Sequence, residues 1–155
     1  MEKEIPNVSF LPNCREFRYR GRVVARITFS QPVIAEREEI NAFYAKMQEN
    51  LLVYAENVAR AQEEKLLARA SRREFREISL RFVPMVSYLD ENYVSILWEY
   101  ARTVRGTRPE VQKFAQTFSL ERETLLPPTV FLGKEGKKIS ADAPYYLTKN
   151  GVVFL

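Results

Sequence analysis

Between residues 17 and 29 the odd positions read Phe17, Tyr19, Gly21, Val23, Ala25, Ile27 and Phe29, and the even ones Arg18, Arg20, Arg22, Val24, Arg26 and Thr28. Strand side chains alternate faces, so this pattern predicts a strand over 17–30 with one apolar and one cationic face. Gly21 reads as a bulge or close-approach point, and Pro32 as the end of the ladder. Past Pro32 the period lengthens. Ile40, Tyr44, Met47, Leu51, Tyr54, Val58 and Ala61 recur every three or four residues, the stripe of a helix over 35–70. Glu36, Glu38 and Glu39 in its first turn, and Lys65, Arg69, Arg72 and Arg73 at or beyond its end, suit the helix dipole. Such a helix is on the order of 50 Å long, so its far end is expected to overhang the sheet. A sheet face and a helix stripe are two halves of one core.

The segment 1–16, with Pro6, Asn7, Pro12 and Asn13, reads as irregular. From Glu77 alternation resumes, with Ile78, Leu80, Phe82, Val86 and Tyr88 on one side and Ser79, Arg81 and Ser87 on the other. Asp90, Glu91 and Asn92 make a short loop before Val94, Ile96, Trp98 and Tyr100, which together spell an antiparallel hairpin. A turn at Gly106 to Pro109 leads to a further strand carrying Phe114, Phe118 and Leu120. Asn150-Gly151 between apolar runs signals a terminal hairpin. The expected fold is α+β: one domain, 1–155, in which an antiparallel meander of at least four strands, mostly within 74–155, packs against one long helix. Phe17, Tyr19, Val23, Ile27, Ile40, Tyr44, Met47, Leu51, Tyr54, Ile78, Leu80, Phe82, Ile96 and Trp98 are the expected core.

Histidine is absent from the 155 residues, which removes Ser-His-Asp and Cys-His mechanisms and imidazole metal sites. The single cysteine, Cys14, allows no intramolecular disulfide and reads as a small buried or irregular-segment thiol. Gly133 and Gly136 lack the Lys-Ser/Thr of a phosphate loop. Asp90 with Glu91, and Glu121 with Glu123, are carboxylate pairs at turns or strand ends, where solvated turn roles are commonest. Phe82, Tyr88, Trp98 and Tyr100 have the phase of a buried face, with a ligand platform as the second reading. No catalytic, cofactor-binding or metal-ligating residues are assigned, and no enzymatic activity is expected. No apolar run reaches the roughly 20 residues of a bilayer span, and the opening residues lack an apolar signal core. A cytoplasmic location is expected, or an exported or membrane-anchored one if a leader was removed.

The net charge is +4 and the arginines are interleaved with acids such as Glu16, Glu74, Glu77, Glu99 and Glu110, the composition of a solvated, ion-paired face. The rival reading is anion or nucleic-acid binding through Arg18, Arg20, Arg22 and Arg26, extended by Arg81.

The tract from Tyr19 to Ile27, then Gln31-Pro32-Val33-Ile34, then Ile40-Asn41-Ala42-Phe43-Tyr44, is similar to the first half of a bacterial family. Tyr93 to Tyr100, Thr117 to Leu120, and the ending Tyr145-Tyr146-Leu147-Thr148-Lys149-Asn150-Gly151-Val152-Val153-Phe154 resemble its second half. The family is the domain of unknown function on the outer side of lysozyme-sensing anti-sigma factors and in small exported proteins of Gram-positive bacteria. Arg105-Gly106-Thr107-Arg108-Pro109 stands where that family usually has a Gly-Gly-Ala-His turn. The resemblance implies an antiparallel sheet with a long helix, no catalysis, and a protein-binding or sensing role.

Together these point to a non-catalytic binding or sensor-type domain recognising a protein or cell-envelope ligand, or associating with itself. Its candidate surface combines the arginines above with Tyr145, Tyr146 and the terminal strand 152–155, whose free edge would accept another strand.

Overall fold

The computed structural model describes residues 3–68, 75–133 and 138–155. Strands β1 (Val8–Tyr19) and β2 (Arg22–Ile34), helix α1 (Glu38–Ala68), and strands β3 (Ile78–Leu89), β4 (Tyr93–Val104) and β5 (Glu110–Ser119) are followed by β6 (Tyr145–Thr148) and β7 (Gly151–Phe154). The first five strands form one sheet in chain order; β6 and β7 form a separate hairpin. The fold is α+β with one long helix, but its sheet is mixed rather than an antiparallel meander. β2 and β3 pair in parallel, Ala25 against Ile78 through Phe29 against Phe82, because α1 carries the chain back between them as a crossover. Every other pairing is antiparallel.

The alternation over 17–29 belongs to two strands, and the supposedly irregular N-terminal segment is most of the first. β1 and β2 meet at a tight turn in which Arg20 and Gly21 both have positive φ, 50° and 79°, the primed geometry that matches strand twist. Gly21 is therefore a turn residue. The bulge lies at Val24: Phe17 opposes Ala25 and Arg18 opposes Val23, leaving Val24 extra, and Val24 and Ala25 are both fully buried. The turn and the bulge each flip the side-chain phase, and the two flips cancel. That is why two strands read as one.

Pro32 sits inside β2, opposite Phe10. Ala35 N–H donates to the Asn7 carbonyl at 2.9 Å, so odd residues of β2 bond β1 and even ones face β3. The β3 ladder ends at Phe29, so the N–H that Pro32 lacks has no strand to meet. α1 starts at Glu38, three residues later than expected, because β2 continues to Ile34; residues 69–74, including Arg69, Arg72 and Arg73, lie outside the described ones.

The core lies between α1 and one sheet face, where Trp98 stacks on Phe29 at 5.1 Å and on Phe114 at 5.7 Å, and Phe82 stacks on Tyr100 at 4.4 Å. Gln116 Oε1 accepts hydrogen bonds from Tyr44 Oη at 2.9 Å and Trp98 Nε1 at 2.8 Å, so the two most deeply buried polar aromatics share one acceptor. Burial pushes the Tyr44 hydroxyl well above the ordinary phenol range. Ile27, Ile40, Tyr44, Ile78, Leu80, Phe82, Ile96 and Trp98 are buried as expected; Phe17, Tyr19, Val23, Met47 and Leu51 are half-buried. Tyr54 is a correction: it is exposed on α1. The helix remains covered as far as Gln62, whose Nε2 donates to the carbonyls of the bulged Val24 and of Arg76 at 3.2 and 2.7 Å.

Candidate functional site

Residues of β3, β4 and β5 that point away from α1 form successive rows across the sheet: Arg81, Ala101 and Val111; Val83, Glu99 and Lys113; Met85, Leu97 and Ala115. The next row, Ser95 and Thr117, is capped. Their hydroxyls share a 2.9 Å hydrogen bond, and Leu147 N–H of β6 donates to Ser95 Oγ at 3.0 Å. Tyr145 and Leu147 pair with Phe154 and Val152 across the hairpin, and the Leu147 amide points away from β7, so β6 meets the sheet by its edge. Tyr145 Oη donates to the Leu126 carbonyl at 2.6 Å, and its ring leans on Phe131, pinning the same end.

Beyond this hairpin no other described element covers the outer face of β3–β5. A trough of about 250 Å³ runs there, lined by Arg81, Val83, Met85, Leu97, Glu99, Ala101 and Lys113. Val83 and Met85 are 41% and 54% exposed. Large exposed apolar side chains gathered on one sheet face, rimmed by charge, mark interaction surfaces. Sequence reading missed Val83, Met85 and Leu97. The signal was present, because β3 is apolar at both parities from Phe82 to Val86, and a strand apolar on both faces has two surfaces to cover.

The arginines assigned from the alternation do not all share a face. Arg18 and Arg26 lie on the outer face, both paired at 2.9 Å with the two carboxylate oxygens of Glu16. Arg20 sits in the turn over the Tyr19 ring. Arg22, beyond the bulge, is on the helix side, over the Phe75 ring and donating to the Phe75 carbonyl at 3.3 Å. Arg81 alone of the set borders the trough. Arg18, Arg26 and Arg81 thus share the outer face, while the bulge puts Arg22 on the opposite side from Arg26.

Tyr145 is buried, not an exposed contact residue, and Tyr146 is half-buried. β7 pairs with β6 alone among the described residues, and Val153, Phe154 and Leu155 are exposed. Cys14 is an exposed residue of strand β1, neither buried nor in an irregular segment.

The carboxylate pairs resolve into local structure. Asp90 Oδ1 accepts from the Asn92 and Tyr93 amides, both at 2.7 Å, and Tyr88 Oη donates to its other oxygen. Burial would raise the Asp90 carboxyl, but these three donors outweigh it and hold it below its ordinary value. Glu123 accepts from the Glu39 amide in the first turn of α1, where a carboxylate suits the helix dipole, and Glu121 lies 3.7 Å from Lys3. Phe82 and Trp98 are core rather than a ligand platform.

No family model matches this sequence, and no curated protein does. The fold is similar to a member of the DUF3298 family from Bacteroides fragilis, with a TM-score of 0.54 and 10% identity over 86% of this chain and 64% of that one. It is likewise similar to a DUF3298 family protein from Pseudomonas aeruginosa, with a TM-score of 0.56 and 8% identity over 85% of this chain and 60% of that one. The chain thus spans about three-fifths of each neighbour. Both are bacterial proteins of a domain family of unknown function, and at these identities the likeness is one of fold.

Proposed function

We propose that this chain is a non-catalytic binding or sensor-type domain recognising a protein or cell-envelope ligand. One observation carries the reading. The outer face of β3–β5 presents an apolar trough with a charged rim, and the β6–β7 hairpin covers only one end of it. A sheet face left apolar and open loses stability that a covered face would have gained, which makes sense where a partner completes it. The edge of β7, unpaired among the described residues, supports the same role, since an edge strand accepts an extended segment. The resemblance of the opening and closing motifs to a sensing domain of the cell envelope leads in the same direction.

The test is untargeted capture of partners from source-cell lysate and envelope fractions, with solution mass measurement of the free chain. Saturable capture of a defined partner is expected. A strictly monomeric chain that recovers nothing while turning over a metabolite refutes the reading.

A further inference from the structure

The geometry points to an extended, apolar segment of a partner protein with acidic flanks as the occupant of the outer-face trough. This rests on the binding reading above. The first support is charge. Glu16 pairs with both Arg18 and Arg26 on the same face, whereas Arg81 and Lys113, bordering the trough from β3 and β5, have no ion pair among the described residues. Glu99 lies between them on the central strand β4, so a segment reaching from Arg81 to Lys113 meets positive, negative and positive charge in turn, with Val83, Met85 and Leu97 along its side. A carboxylate brought to either cation gains attraction beside an apolar surface; one placed over Glu99 is repelled. The complementary segment therefore has acidic flanks and an apolar, uncharged middle.

The second support is spacing. Arg81 and Lys113 are two strands and one row apart, on the order of 12 Å at about 4.8 Å between strands and ~7 Å between rows. About four residues of extended chain span that distance, so acidic residues at the two ends reach both cations while the side chains between them lie beside Val83 and Leu97. A planar bilayer fits less well, because Leu97 is half-buried beneath the more exposed Val83 and Met85 and the hairpin stands at one end.

Random peptides displayed on phage, selected on the intact chain and counter-selected on the Arg81→Glu/Lys113→Glu double variant, test this. Enrichment of sequences with Asp or Glu flanking apolar residues is expected. Fluorescein-labelled synthetic copies should bind the parent chain at least about tenfold more tightly than the double variant, weaken similarly with Met85→Asp, and tighten with Glu99→Gln. All four positions are exposed, and unchanged thermal melts verify that the variants fold. No enrichment, enrichment of basic or wholly polar peptides, indifference to charge reversal, or weakening with Glu99→Gln each overturns the proposal. So does co-sedimentation with phosphatidylglycerol vesicles that the double variant abolishes while no peptide is selected. A partner captured from lysate that binds the double variant undiminished removes the trough proposal and leaves the broader binding reading standing.

Discussion

The side chain of Asn41 serves as a substitute strand for Ile34. Ile34 N–H donates to Asn41 Oδ1 and Asn41 Nδ2 donates to the Ile34 carbonyl, each at 2.8 Å. Ile34 is fully buried, and its main chain faces the side where β3 pairing stopped at Phe29. One side-chain amide from the first turns of α1 thereby closes the last rung of β2 and ties the helix start to the strand end.

Asn41→Ala leaves both groups without a partner away from water, so a loss of about 2–3 kcal/mol is expected in urea denaturation. Asn41→Asp keeps the acceptor but turns a carboxylate oxygen toward the Ile34 carbonyl, and should also destabilise. A change under about 0.5 kcal/mol in the alanine variant, the range of an ordinary surface substitution, would show that the pairing contributes nothing.

Gln116→Leu removes the shared acceptor of Tyr44 and Trp98. Two buried donors then have no partner, and a destabilisation of about 2–4 kcal/mol follows. Trp98 is the single tryptophan, so its fluorescence reports the unfolding transition directly. Parent-like stability would mean that the surrounding packing supplies another acceptor.

Ser95→Ala should act on the hairpin rather than the core. The Leu147 amide loses its acceptor, and hydrogen exchange at Leu147 is expected to accelerate by about tenfold or more, while amides of Ile96 and Trp98 keep their protection. Uniform acceleration across β4 would instead assign Ser95 to global stability.

Asp90 gives the chain an acid-sensitive turn. Its folded carboxyl is held below the ordinary 3.8, so its contribution is complete above that value and is lost as pH falls through the depressed one. Against Asp90→Asn, the parent should be about 1 kcal/mol more stable from neutral pH down to about 5, with the gap narrowing below about 4. Thermal melts across that range check it. A gap that widens in acid would reverse the sign and remove Asp90 as its cause.

The central hairpin was legible because its cues are local. Alternation on both arms and an Asp that bonds the amides two and three residues on define β3, the turn and β4. A bulge between Val86 and Tyr88 nonetheless turns Tyr88 to the outer face, opposite Ser95, and not to the side of Val86 as alternation alone would place it. The terminal hairpin was legible for the same reason, although Lys149 and Asn150 occupy its two-residue turn and Gly151, with φ 112°, opens β7. The first hairpin was not. Arg20 is an unpromising residue for positive φ, and the Val24 bulge restored the odd parity that the turn had broken. Arg20 and Arg22 were misplaced with it, since a face inferred from parity survives only where no turn or inserted residue intervenes.

Taken alone, the chain determined what local periodicity can encode: the existence of the helix and its buried stripe at Ile40 and Tyr44, the apolar faces carrying Leu80, Phe82, Ile96 and Trp98, and the turns between β3, β4, β6 and β7. Tertiary structure alone decided which strands are neighbours and which face each side chain meets. The parallel pairing of β2 with β3 is set by the return path of α1, far outside any local window. The trough exists because β6 and β7 cover only the Ser95 and Thr117 end of the outer face, a matter of where one hairpin comes to rest on three distant strands. Periodicity reports that a residue is apolar and on a given side. Only the assembled sheet reports whether anything covers it.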